Sequence, residues 1–107
     1  MDLVQFCIVL VNLDPTVGSE IKKTRPCVVI SPDEMNRHLQ TITIAPMTSQ
    51  SKKYPTRIEV KHNDKIGCIV LDQIGTINKI RILKVFDKLT DKEILAVKNI
   101  IKEIFVD

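Results

Sequence analysis

Two polar stretches of the sequence carry side chains that could act together on a phosphodiester. Residues 12–26 include Glu20 and Arg25, and residues 47–55 include Thr48. Cleavage of RNA by its own 2′-hydroxyl needs a base for that hydroxyl and a fixed positive group for the charge that develops on the phosphate oxygens. An arginine presents a planar fork of donors to two such oxygens, a threonine adds a neutral donor, and a carboxylate can be the base. We therefore take Glu20, Arg25 and Thr48 as candidate catalytic residues.

Composition alone leaves a simpler interpretation open. Glu20 and the lysines beside it could be solvated loop charges, and Arg25 could be one half of a surface ion pair. Thr48 could bond its own backbone within a turn. From these residues by themselves, the sequence indicates only a small β-rich domain with two polar segments that suit phosphate.

Other kinds of site find less support. His38 and His62 are the only histidines, and they lie far apart without clustered carboxylates or thiolates. Cys7, Cys27 and Cys68 are odd in number and lie in apolar runs, which favours buried free thiols in a reducing compartment over zinc or disulfide sites. The three glycines are isolated, so no glycine-rich phosphate loop is present. We expect no metal and no cofactor.

The length of 107 residues, with 44% hydrophobic and 27% charged residues, fits one domain over 1–107 with a modest core. A chain this small could gain stability by pairing with a second copy. Its net charge of +3 favours mild attraction to polyanions without identifying one. We find no signal-peptide pattern and no apolar run long enough to span a membrane, so we expect a cytoplasmic protein with no membrane partner.

Periodicity predicts several short strands and one terminal helix. The strands are expected at residues 6–13, 26–30, 39–45, 56–61, 68–71 and 82–86. Pro46 should end the third strand, Gly67 should belong to a hairpin turn, and Pro32 should begin a single helical turn. Thr90 and Glu93 form a capping-box pattern ahead of apolar residues at helical spacing. The expected fold class is α+β, mainly β, with a strongly curved sheet or barrel and a helix packed on it.

Several segments in order resemble the MazF/PemK toxin family. They are 11–20 (VNLDPTVGSE), 23–29 (KTRPCVV), 31–36 (SPDEMN), 45–49 (APMTS), 55–57 (PTR) and 71–74 (LDQI). The resemblance implies a compact SH3-like β-barrel with a C-terminal helix. It also implies a homodimeric toxin of a type II toxin–antitoxin system that cuts single-stranded RNA without metal, leaving a 2′,3′-cyclic phosphate and a 5′-hydroxyl.

Carried onto this chain, the resemblance implies that Arg25 and Thr48 are catalytic and that Glu20 holds the acidic position. RNA contacts would come from Ser19, Lys22, Lys23, Ser49, Gln50, Ser51 and Lys52. The implied partner is a cognate antitoxin whose acidic, initially disordered tail folds on binding.

Two departures from the family pattern keep alternatives open. Members commonly have a cation after Asp-Gln-Ile, where this chain has Gly75, and a Gly-Asp pair entering the first strand, where it has Phe6 and Cys7. Loss of the cation at position 75 could weaken RNA binding or dimer contacts. The alternatives are a catalytically impaired relative that only binds RNA or antitoxin, and a toxin of the same barrel type that poisons DNA gyrase.

Overall fold

The computed structural model describes residues 3–13, 23–49, 57–62 and 65–106. Within these ranges the chain forms seven strands and two α-helices. In chain order they are β1 (Cys7–Asn12), β2 (Thr24–Val29), α1 (Asp33–His38), β3 (Thr41–Thr48), β4 (Arg57–His62), β5 (Lys65–Val70), β6 (Gly75–Asn78), β7 (Ile82–Lys88) and α2 (Asp91–Ile101). Short 3₁₀ turns cover Leu71–Gln73 and Lys79–Arg81, and a π-helical turn covers Lys102–Val106. None of the helices in these ranges is long and apolar enough to cross a membrane.

The strands form one antiparallel sheet that divides at β3. Its order is β4-β5-β3-β2-β1-β7, and β6 pairs with β3 as well. On the side away from β2, Thr41–Ile44 of β3 pair with β6, whereas Met47 and Thr48 pair with β5. The predicted mainly β architecture with a terminal helix is confirmed.

Both faces of the central strands are buried, each by its own apolar cluster. Val28, Ala45 and Met47 belong to a cluster that α2 covers with Val97, which is fully buried. Cys27 and Ile44 belong to the second cluster, on the opposite face. Burial on both faces explains why β1 and β2 read as continuous apolar runs, since neither face of these strands needs polar residues.

The capping box at the start of α2 forms as predicted. Thr90 N donates to Glu93 Oε1 at 2.9 Å, and Glu93 N donates to Thr90 Oγ1 at 3.2 Å. These two bonds satisfy backbone donors that a helix N-terminus would otherwise leave open. Ile94, Ile101 and Ile104 pack on the first cluster, as their spacing indicates.

The prediction that Pro46 ends the third strand is wrong. The ladder between β2 and β3 includes Cys27 opposite Pro46, and β3 continues to Thr48. Ile30 N donates to Thr43 O at 2.8 Å, so these two opposed residues form a hydrogen-bonded pair. Bonded and non-bonded pairs alternate along an antiparallel ladder, and Cys27–Pro46, three pairs away, is a non-bonded pair. The nitrogen of Pro46 therefore points away from β2. On that other side β6 has ended and β5 has not begun, so the missing N–H breaks no bond.

Three further expectations are corrected. Pro32 is the residue before α1 and not its first helical residue, and α1 is six residues long, more than one turn. Gly67 lies within β5, opposite Val60, and not in a turn. The strand β6 was not expected, because Thr76 and Asn78 interrupt its apolar residues.

A buried polar network holds α1 to the sheet. Asn36 and Ser31 are both buried, and Ser31 Oγ donates to Asn36 Oδ1 at 2.5 Å. Asn36 Nδ2 donates to Ser31 O at 2.9 Å, and Thr43 N donates to Ser31 Oγ at 3.1 Å. Lys79 Nζ donates to Asn36 O. Since buried polar groups are costly when unpaired, this network fixes where the segment SPDEMN lies.

Phe6 holds an unusual backbone conformation at the entrance to β1. Its φ is 69°, in the left-handed region that glycine adopts most readily. Its backbone is fixed on both sides, because Phe6 N donates to Val29 O at 2.7 Å and Leu89 N donates to Phe6 O at 2.9 Å. The ring is buried in the first cluster. Packing of the ring therefore offsets strain in the backbone.

We predict that Phe6→Gly is more stable than Phe6→Ala. Both variants lose about 3 kcal/mol of ring packing, but glycine also relieves about 1 kcal/mol of left-handed strain. Urea unfolding measures the difference. At the control position, Ala96 inside α2, the Ala96→Gly variant should be less stable than the parent by about 1 kcal/mol. If Phe6→Ala were more stable than Phe6→Gly, the backbone at position 6 would not be strained.

The three cysteines are free and buried, as expected. Burial raises the pKa of the Cys27 thiol from its ordinary 9.0 to about 12, and the charge of Arg25 opposes this only partly. Burial also raises the pKa of Cys7. Cys27 is fully enclosed in the second cluster, so its thiol stays protonated in the folded protein across the neutral range.

We predict that Cys27 makes the fold sensitive to alkaline pH. Its pKa is higher in the folded chain than in the unfolded one, so above pH 9 the unfolded chain loses this proton first and stability falls. Between pH 8.5 and 10, the stability that the parent holds over Cys27→Ala should shrink by about 1 kcal/mol. Urea unfolding of both proteins at each pH measures this. If the free energies of unfolding of the two proteins changed with pH in parallel, the Cys27 thiol would not contribute to the pH dependence.

Candidate active site

The structure places two of the three candidate catalytic residues at the ends of strands and not in loops. Arg25 is the second residue of β2, and Thr48 is the last residue of β3. Lys23 immediately precedes β2, and Ser49 immediately follows β3. The other predicted site residues lie outside the described residues: Ser19, Glu20, Lys22, Gln50, Ser51 and Lys52.

The register of β2 and β3 brings Arg25 and Thr48 together. Cys27 is opposite Pro46. Continued by two residues, toward the start of β2 and toward the end of β3, the same register sets Arg25 level with Thr48. Opposed residues of antiparallel strands share a face. Met47 belongs to the first cluster, so Arg25 and Thr48 project to the opposite side. The two residues therefore lie side by side on one face.

Pro26 ends the hydrogen-bond ladder beside this pair. The alternation that Ile30 and Thr43 establish directs the nitrogen of Pro26 toward Met47 O. Proline has no N–H to donate, and the paired register stops at Cys27 and Pro46. Arg25 and Thr48 lie just beyond these last paired residues. We call the space between these two strand ends the gap.

The floor of the gap is apolar and its rim is polar. Val11 of β1, the partner of Arg25 in the ladder between β1 and β2, is fully buried. Cys27 is fully buried too. Arg25 is exposed and Thr48 is half-buried. The protonated Cys27 thiol donates to Arg25 O at 3.6 Å, a weak bond that ties the arginine backbone to this floor. A rigid floor limits how far the backbone at Arg25 can move.

The same face continues across β5 and β4 with residues that sequence reasoning missed. Thr48 is opposite Cys68, and Cys68 is opposite Glu59. Arg57 and Lys61, two residues to either side of Glu59 on β4, share its face. We name Arg25, Thr48, Arg57, Glu59 and Lys61 the site face. Alternation in the β4 sequence indicated that residues 57, 59 and 61 share a face, but nothing indicated that β5 joins β4 to Thr48.

Gly67 allows this joining. A Cβ atom at position 67 would lie 3.0 Å from Thr48 O, closer than side-chain carbons normally come to a backbone oxygen. Any larger residue would therefore push β5 away from the end of β3. Gly67 has a packing role beside the site, in place of the turn role expected of it.

Gly75 offers space but no direct contact with the pair. A Cβ atom there meets nothing within 4 Å, so a side chain could leave the backbone at this position without a clash. Gly75 is opposite Ile44, four residues along β3 from Thr48, which corresponds to about 13 Å. A cation at position 75 would therefore add positive charge to the surface near the pair.

Two further features complete the surroundings of the site. The described residues contain no group of three or more His, Cys, Asp or Glu side chains placed to hold a metal ion. A cavity of about 500 Å³ lies between β4 and β7, the two outer strands of the sheet order. Its lining includes Lys61, Phe86, Lys88 and Glu93, so it borders the site face at Lys61.

Comparison with known proteins agrees with this architecture. A family described as PemK-like, MazF-like toxin of type II toxin-antitoxin system matches residues 5–105. A protein named Endoribonuclease MazF from Staphylococcus saprophyticus is 34% identical over 100 residues, which cover 88% of this chain and 83% of that protein.

Solved structures show the same fold at lower identity. A MazE-MazF crystal structure from Deinococcus radiodurans superposes with a TM-score of 0.83 at 18% identity, covering 99% of this chain and 98% of that one. An endoribonuclease in complex with its cognate antitoxin, from a mycobacterial species, superposes with a TM-score of 0.80 at 16% identity, covering 94% and 92%. The family match spans nearly the whole chain, and the chain therefore belongs to the PemK-like, MazF-like toxins of type II toxin–antitoxin systems.

Proposed function

We propose that this toxin is an endoribonuclease that cleaves single-stranded RNA, including mRNA, at the gap between Arg25 and Thr48. The observation that supports this most is the register that sets these two side chains level where the ladder stops. The 34% identical relative is named as an endoribonuclease. A gap with a cation on one side and a hydroxyl on the other suits one phosphate group.

In this mechanism the reaction needs no metal, because Arg25 and Thr48 supply the donors. Attack of the 2′-oxygen forms a bond to phosphorus, and the bond from phosphorus to the 5′-oxygen breaks. The 5′-oxygen takes a proton from water, leaving a 2′,3′-cyclic phosphate and a 5′-hydroxyl. The Arg25 fork binds two phosphate oxygens, and the Thr48 hydroxyl donates to one of them as charge develops. Glu20, outside the described residues, is the proposed base that accepts the 2′-hydroxyl proton.

Charge and hydrogen bonds supply most of the affinity for RNA. The site face carries Arg25, Arg57 and Lys61, and Lys23 is exposed at the start of β2. Only four aromatic residues occur in the sequence, so base stacking contributes little compared with many single-strand binders. The proposed RNA contacts outside β2 are Ser19, Lys22, Ser49, Gln50, Ser51 and Lys52. These would contact unpaired bases and phosphates.

The proposed partners are a cognate antitoxin and a second copy of this chain. The mycobacterial relative was solved in complex with its antitoxin. An acidic segment that folds on binding would be attracted to the cations of the site face and would exclude RNA from it. An RNA substrate and three free thiols suit the cytoplasm.

We predict that removing either donor abolishes most cleavage without unfolding the protein. Arg25→Ala should lower the cleavage rate by about 10²- to 10³-fold, and Thr48→Val by about 10-fold or more, because charge in the transition state loses its donors. Arg25→Lys should be intermediate, since it keeps the charge but not the fork. The assay is cleavage of a long single-stranded RNA in EDTA with the product ends mapped.

Melting temperatures close to that of the parent would show that each variant is folded, which the exposure of Arg25 leads us to expect. Full activity in Arg25→Ala would contradict the proposed site. RNA binding without any cleavage by the parent would indicate the catalytically impaired relative. Gyrase poisoning without RNA cleavage would indicate the other alternative.

A further inference from the structure

Glu59 is the one carboxylate of the site face. Its neighbours on that face of β4 are Arg57 and Lys61, and Arg25 lies three strands away. Glu59 is exposed. A carboxylate here weakens attraction for phosphate, because like charges repel at close range. Its position therefore suits a part of the substrate other than the backbone.

The register gives the position of Glu59 relative to the proposed phosphate site. Glu59 is opposite Cys68, and Cys68 is opposite Thr48, so two strand spacings separate Glu59 from Thr48. This is about 10 Å between Cα atoms. Cys68 between them is small and buried, so its side chain does not project between the other two. Thr48 and Glu59 can thus contact different groups of the same strand of RNA.

We propose that Glu59 is a specificity residue that accepts hydrogen bonds from an amino-bearing base beside the cleaved phosphate; this rests on the proposed function. An ionised carboxylate only accepts hydrogen bonds. Guanine, adenine and cytosine each present an amino group on their pairing edge, whereas the one donor of uracil, N3–H, lies between two carbonyl oxygens that repel a carboxylate. The Glu59 carboxylate therefore favours these three bases over uracil at one position next to the cut.

The test compares the parent with Glu59→Gln on single-stranded RNA in EDTA. Product ends are mapped first, and rates are then measured on paired oligonucleotides in which one base near the cut is amino-bearing or uracil. Glutamine keeps the shape but adds a donor that uracil O4 can accept, so the preference should fall about tenfold. Glu103→Gln, an exposed glutamate in the C-terminal turn, is the matched control and should cut as the parent does.

The outcomes separate this inference from the proposed function. A lower base preference in Glu59→Gln, with cleavage retained on the uracil substrate, supports the assignment. An unchanged preference would overturn it. An equal loss of rate on all substrates, at an unchanged melting temperature, would overturn it too, since Glu59 would then act in the chemical step. Absence of cleavage by the parent would overturn the proposed function, and this inference with it.

Discussion

The register between β2 and β3, and its interruption at Pro26, is the constraint on which the site depends. Two prolines lie in this ladder with opposite effects. Pro46 turns its nitrogen to the side where β3 has no partner, so the strand continues to Thr48. Pro26 turns its nitrogen toward β3, and the ladder stops. One face then carries Arg25 and Thr48 side by side, with no backbone bond of the ladder closing the space between them.

The two apolar clusters make this arrangement rigid. The strand ends that carry the pair are anchored by Val11 and Cys27 on one face and by Met47 on the other. Because both faces of these strands are buried, a slip of one residue would exchange side chains between the two clusters and disrupt close packing in each. Register in this sheet is therefore strongly specified, and the geometry at Arg25 and Thr48 follows from the core.

The sequence predicted the type of each long element well, because period and capping are local properties. The capping box at Thr90 and the alternation of polar and apolar residues along β4 are examples. It failed at Pro46 and Gly67, where the outcome depends on which strand lies alongside and in what phase. The resemblance selected Arg25 and Thr48, which lie at neighbouring strand ends on one face of the sheet. It gave no account of Glu59, because its relation to Thr48 exists only through β5.

The most direct test of this account is a crystal structure of the protein with an RNA oligonucleotide whose cleavable 2′-hydroxyl is replaced by hydrogen. We expect one phosphate to lie between the two strand ends, with its oxygens within about 3.2 Å of the Arg25 guanidinium and of Thr48 Oγ1. A phosphate bound elsewhere, such as in the cavity between β4 and β7 beside Lys88, with the gap left free of RNA, would contradict it.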